Sequence, residues 1–136
     1  MQREDMLAKV EAAYAARRSG DFDKLREVVA DNAAWMIHGE ELLADFPGKG
    51  GVSVHQAAQQ LFATIELREL ERVDALAEGN RVAVLWKTTV VIPGSDPFET
   101  MMYDLWEFND EGKICRGMQF VDTAKFVEAM RMRAEA

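Results

Sequence analysis

Cysteine occurs once in this chain, at Cys115, so no intrachain disulfide can form and the fold must be held by packing. A reducing cytoplasm is the compartment this fits. Histidine occurs only twice, and His38, His55 and Cys115 do not show metal-ligand spacing, so no metal site is expected. Basic residues are the minority, 16 Lys and Arg against 24 Asp and Glu, which leaves a net charge of −8. A phosphate backbone needs a basic stripe, so no nucleic acid partner is expected, and the acidic balance equally disfavours an anionic membrane surface. No apolar run approaches the roughly 20 residues of a membrane span. The start, Met1-Gln-Arg-Glu-Asp5, is charged from its third residue with no apolar stretch behind it, so no secretory signal is expected. No glycine-rich loop precedes a helix to cradle phosphate, and no cofactor is expected.

What is present is ordinary for one soluble globular domain: 136 residues, 49% hydrophobic and 29% charged. A single domain over 1–136, with a frayed tail at about 131–136, is the expectation. Met6, Leu7, Val10, Ala13 and Tyr14 recur at the spacing of an amphipathic helix over 3–19. Ser19-Gly20-Asp21 ends it, glycine as C-cap and aspartate as the next N-cap, before a second helix at 22–31. A strand at 32–38 follows, then a glycine-rich loop over 39–52 and a helix at 53–64 with Ser53 as its cap. Strands are expected at 65–78, 81–92, 98–108 and 113–121, with a tight turn at Asn109-Asp-Glu-Gly112. Asp122 caps a last helix through about Met130. Helices early and strands late define an α+β domain, a curved antiparallel sheet closed over by helices.

The most informative residue is Asp104. In Phe98-Glu-Thr-Met-Met-Tyr-Asp-Leu-Trp-Glu-Phe108 the alternation puts Met102, Asp104, Trp106 and Phe108 on one face. Three large apolar neighbours make that face the buried one. A carboxylate there must be paired, neutral or used, since desolvating a lone charge costs several kcal/mol. A four-residue turn would set Asp104 opposite Gly117, Trp106 opposite Cys115 and Met102 opposite Gln119. A glycine facing an inward carboxylate leaves room for a ligand or ordered water, or else marks a bulge. If Asp104 is purely structural, a hydroxyl or Lys87 across the sheet is its expected partner.

Other polar residues carry two readings each. His38, at a strand end, fits an acid or base near pH 7 or a backbone hydrogen bond. Tyr14 fits core packing with its hydroxyl bonded to a neighbour, or a pocket donor. Trp35, Trp86 and Trp106 read as core residues that can also line a cavity. His55 reads as exposed, Cys115 as a small core residue rather than a nucleophile, and Asp122 as a cap.

Ser19-Gly-Asp-Phe22, Val28-Val-Ala-Asp-Asn-Ala-Ala-Trp35, the hairpin Asp104-Leu-Trp-Glu-Phe-Asn-Asp-Glu-Gly-Lys-Ile114 and the ending Asp122-Thr-Ala-Lys-Phe126 occur in order. Together they resemble the nuclear-transport-factor-2-like superfamily, in its SnoaL-like and ketosteroid-isomerase-like branch, over essentially the whole chain. The resemblance implies a cone-shaped fold with an internal pocket, and often a dimer through the open sheet face. It places Asp104 where the isomerases hold an oxyanion-hole acid that an apolar site keeps protonated. It also implies where other machinery should stand. The isomerase base falls at Ile37, its tyrosine at Ala13 beside Tyr14, and the cyclase base at Gln119, none of which can move a proton. Arg116, the arginine nearest to an epoxide-hydrolase constellation, lies on the face opposite Gln119.

The resulting expectation is a pocket for a small hydrophobic ligand, with Asp104 and His38 as catalytic residues. Tyr14, Trp35, Ile37, Met102, Trp106, Gly117, Gln119 and Val121 are its expected ligand contacts. The chemistry is proton transfer on a hydrophobic carbonyl compound: isomerization, dehydration or hydration. The other reading is a non-catalytic binding or assembly module, a homodimer covering the apolar outer face at Tyr103, Leu105, Ile114, Met118 and Phe120.

Overall fold

The computed structural model describes residues 1–38, 53, 55, 56, 58 and 65–135. Helix α1 (Arg3–Ser19) buries Met6, Leu7, Val10, Ala13 and Tyr14, the set its spacing predicts. Gly20 closes it in the left-handed region, with φ 72°, and its N–H returns to the carbonyls of Ala16 and Arg17. Asp21 caps α2 (Phe22–Val28), accepting from the Lys24 N–H at 3.1 Å. This helix is shorter than predicted. The β-branched pair Val28-Val29 favours extended backbone, and β1 (Val29–Ile37) takes over there. Of the helix expected over 53–64, residues 55, 56 and 58 are helical, with the Ser53 hydroxyl accepting from the Gln56 N–H at 3.1 Å. The rest of it, and the expected loop at 39–52, lie outside the described residues.

The remaining strands are β2 (Glu66–Glu78), β3 (Arg81–Val91), β4 (Phe98–Phe108) and β5 (Ile114–Val121), followed by α3 (Thr123–Glu135). The sheet order is β1-β5-β4-β3-β2. This is an α+β domain with a curved, unclosed five-stranded sheet. The sheet is not wholly antiparallel as expected: β1 runs parallel to β5. A parallel pair needs a long crossover, which the intervening chain from 38 to 113 supplies. In β2, Glu69 adopts φ 52° and the register slips between Arg68 and Glu71 and again between Arg72 and Asp74. Two such bulges bend the strand.

The turn forms as predicted, with Gly112 at φ 77° and the Asn109 side chain accepting from the N–H groups of Glu111 and Lys113, each at 3.0 Å. The pairing beyond it differs. Phe108 faces Ile114, then the register slips, so that Trp106 faces Gly117, Asp104 faces Gln119 and Met102 faces Val121. Cys115 is the extra residue in β5, and Ile114 turns inward to complete burial instead of joining the outer face. Helix α3 also outruns its expected end. Arg131, bonded to Glu128 and Glu135, braces the segment expected to fray, and the helix continues to Glu135.

Helix α1 packs on α2 and reaches β2 and β3, so the core lies between α1 and one face of the sheet. Among the described residues no helix is long and apolar enough to cross a membrane.

Candidate functional site

The core-facing side of β3, β4 and β5 converges on one carboxylate. Asp104 on β4 has 0% of its surface exposed. Its Oδ2 accepts from the Trp86 indole N–H at 2.9 Å, from the Trp106 indole N–H at 3.2 Å and from the Tyr14 hydroxyl. Its Oδ1 accepts from the Gln119 amide at 3.0 Å. The Gln119 amide also donates to the Tyr14 oxygen at 3.2 Å. Strand periodicity explains the convergence. Trp86 lies two residues from Val84, which pairs with Asp104, and Gln119 pairs with Asp104 directly. Tyr14 reaches the same point from α1 and meets the ring of Trp86 edge-on at 5.2 Å and that of Trp106 at 6.1 Å.

Two influences oppose each other at this carboxylate. Burial pushes the Asp104 carboxyl up from its ordinary value, while hydrogen bonds from Tyr14, Gln119, Trp86 and Trp106 favour its charged form. Burial wins, so Asp104 holds a proton more readily than a surface aspartate. Tyr14 is pushed well above its ordinary value, first by burial and then by the charge of Asp104. Tyr14 therefore holds its proton and donates it to the carboxylate. One hydroxyl offers one donor and two acceptor positions. With Asp104 taking the donor and Gln119 one acceptor position, one acceptor position on the Tyr14 oxygen is left over.

A cavity of about 590 Å³ adjoins Tyr14, between the last turn of α1 and the start of β2. Tyr14, Arg17, Arg18, Ile65, Leu67 and Leu70 contribute to its walls. Asp104 does not line it. Among the described residues of the cavity wall, Tyr14 is the one bonded to the carboxylate.

The profile of one family, described as a SnoaL-like domain, matches residues 10–117. The chain belongs to the SnoaL-like domain family. No curated protein matches it. Among solved structures it is similar to an NTF2-like protein from Burkholderia xenovorans LB400, with 24% identity over 95% of this chain and 98% of that one, at a TM-score of 0.78. It is also similar to TerC co-crystallized with polyporic acid (19% identity, 93% and 98% covered, TM-score 0.76). A third likeness is to an LEH-like epoxide hydrolase of M. tuberculosis (15% identity, 96% and 93% covered, TM-score 0.69). At these identities the likeness is one of fold.

Within this SnoaL-like domain the residues singled out by sequence separate into two groups. Asp104, Tyr14, Trp106 and Gln119 form the cluster, and Trp35 lies beside it, its ring 5.5 Å from that of Trp106. The Trp35 indole N–H is buried without a partner among the described residues. Ile37, Met102 and Val121 share the same sheet face through their pairings. His38 does not join them. Its backbone N–H donates to the Gln119 carbonyl at 3.0 Å, and its ring stacks on Phe120 at 4.3 Å, on the opposite face of the sheet. An odd number of residues from inward-facing Ile37 carries it there, so the His38 ring and the Asp104 carboxylate lie on opposite faces of the sheet.

Gly117 has a different task from the one expected. A Cβ built on it would stand 2.7 Å from Trp106 Cε3 and 3.0 Å from Trp35 Cε3, so the space above the glycine is filled by indole rings. Lys87 pairs with Glu99 on the outer face and is no partner of Asp104. His55 is half-buried, with its Nε2 at 3.2 Å from the Ala30 carbonyl. Cys115 donates to the Glu107 carbonyl at 3.4 Å, and burial pushes its thiol up, away from nucleophilic character. Trp86 adds a role that its sequence context, which reads as core, does not announce. Its parity with Asp104 across β3 and β4 is the available signal for that role.

Proposed function

We propose that this SnoaL-like domain binds a small carbonyl compound in the Tyr14 cavity and moves a proton on it, with Tyr14 and Asp104 acting as one unit. The observation that carries this reading is Tyr14, which lines the cavity and hydrogen-bonds the buried carboxylate through its hydroxyl. A ligand C–H activated by a neighbouring carbonyl would pass its proton to the free acceptor position of the Tyr14 oxygen. The existing Tyr14 proton would pass to Asp104 Oδ2 in the same step, leaving an enolate and a neutral carboxyl group. Return of the proton at another carbon completes an isomerization; expulsion of a β-hydroxyl, which takes the proton back from Asp104 through Tyr14 and leaves as water, completes a dehydration. Burial helps, because a carboxylate pushed up from its ordinary value is a stronger base. Gln119 holds the Tyr14 oxygen in place.

The test is protein-dependent deuterium exchange at the α-carbon of hydrophobic ketones and β-diketones, followed by proton NMR. Wild type should accelerate exchange. Tyr14→Phe and Asp104→Asn should each lower that acceleration by about a hundredfold or more. Binding of the same compounds without any exchange would leave a ligand-binding module in place of an enzyme.

A second reading concerns assembly and rests on the outer sheet face. Met36, Met101, Tyr103 and Phe120 are all exposed there on β1, β4 and β5. A homodimer through this face would cover them while leaving the Tyr14 cavity, on the other side of the sheet, open to ligand.

A further inference from the structure

The cavity beside Tyr14 carries a cation that the proton-transfer step does not use. Arg17 lines it from the last turn of α1, half-buried, with its guanidinium carbon 5.1 Å from the centre of the Tyr14 ring. Among the described residues no carboxylate forms an ion pair with it. Two arginines of β2 differ in this respect. Arg68, in the same cavity wall, is neutralised by Glu66 at 3.0 Å, and Arg72 by Glu11 at 3.3 Å. Arg18, also in the wall, is exposed and likewise lacks a carboxylate partner among the described residues.

Taking a guanidinium partly out of water has a cost that a single cation–π contact recovers only in part. Asp104 attracts Arg17 through space, yet the oxygens of that carboxylate are engaged by Tyr14, Trp86, Trp106 and Gln119. With acidic residues outnumbering basic ones 24 to 16, a carboxylate partner was abundantly available to this arginine. Arg17 instead lines the cavity with no ion-pair partner among the described residues, in a wall where Glu66 is taken up by Arg68 and Glu69 also stands. A guanidinium fork matches a carboxylate in two parallel hydrogen bonds, which gives orientation as well as affinity.

We propose that the cavity takes an organic carboxylate, anchored by Arg17 beside Tyr14, with its apolar part against Ile65, Leu67 and Leu70. This rests on the Tyr14 cavity being the ligand site and narrows its substrate class from carbonyl compounds to keto acids. The anchored end fixes which carbon of the ligand comes to the Tyr14 oxygen.

The experiment is calorimetry with β-benzoylpropionate and its methyl ester, extended to a series of aromatic keto acids of graded length and their esters. Wild type should bind the acids about tenfold or more tighter than the esters. Arg17→Gln should erase that gap while keeping ester affinity, and Arg17→Lys, which retains the charge without the fork, should keep part of it. Melting temperatures of both variants confirm that the fold is intact. Equal binding of acid and ester, a gap that survives Arg17→Gln, or no acid of the series binding would each overturn the proposal. Deuterium exchange on the same compounds separates it from the proton-transfer reading. Arg17-dependent binding without exchange defeats that reading and leaves this one standing. Equal exchange of acid and ester does the reverse.

Discussion

Asp104 is surrounded by donors: a phenol, two indoles and an amide all point at its oxygens. Such an arrangement tolerates any replacement that still offers an acceptor, and few others. Asparagine can keep a carbonyl oxygen where Tyr14, Trp86 and Trp106 donate, and Gln119 can turn its own amide to meet the new amide. Asp104→Asn should therefore fold with a modest loss of stability, while losing the site that receives the proton. Asp104→Leu leaves those donors buried without an acceptor, each costing about 1–3 kcal/mol, and should lose roughly 4 kcal/mol or more. Urea unfolding of both variants measures the difference. A Leu variant as stable as Asn would mean that water, not Asp104, satisfies these donors. At this scale the sequence is informative about Asp104, because an acid flanked by Met102, Trp106 and Phe108 on a strand face needs a reason. It is uninformative about Trp86 and Arg17. A buried indole is the commonest of core features, and an arginine in a last helical turn is the commonest of caps.

Strand pairing decides which of these residues meet, and pairing is the part that periodicity does not reveal. The turn at 109–112 is legible through Asn109 and Gly112, and parity puts Gln119 and Gly117 on the inner face. Phe108 pairs with Ile114 one residue beyond the expected Lys113, and the extra residue at Cys115 adds a second step, so Gln119 rather than Gly117 comes to face Asp104. A bulge leaves no mark in the periodicity when the residues on either side of it, here Ile114 and Gly117, are both small enough or apolar enough to turn inward. The same limit hides the parallel pairing of β1 with β5, which is set by the crossover and not by either strand's own pattern. The consequence for β5 is specific. Gly117 lies where Trp35 and Trp106 close over the strand, and any side chain there displaces an indole that donates to Asp104. Gly117→Ala should cost about 1–3 kcal/mol, the range for overpacking a core. It should also shift the fluorescence of the buried tryptophans. An unchanged denaturation midpoint would show that the rings can separate without loss.

The sheet as a whole presents one face to α1 and the other to its surroundings, and the two faces make separate predictions. On the outer face, Phe120 keeps 46% of its surface exposed, with Met36, Met101 and Tyr103 also exposed around it. If a second copy covers them, sedimentation should show a dimer that Phe120→Glu converts to a monomer with its melting temperature lowered. A wild-type monomer at all concentrations would remove the assembly reading. The inner face makes stability depend on pH through Asp104. Its native pKa is raised above the ordinary 3.8, so between that value and the native one the folded chain holds a proton that the unfolded chain has released. Stability from this residue is thus full below about 3.8 and is lost as pH rises through the raised native value. Other carboxylates titrate nearby, so the useful quantity is wild type minus Asp104→Asn, in which their effects cancel. That difference should fall as pH is raised above 4 and level off once the raised native value is passed. A difference that rises over the same interval would mean that the hydrogen bonds outweigh burial and hold Asp104 below its ordinary value. The base in the Tyr14 relay would then be weaker than proposed.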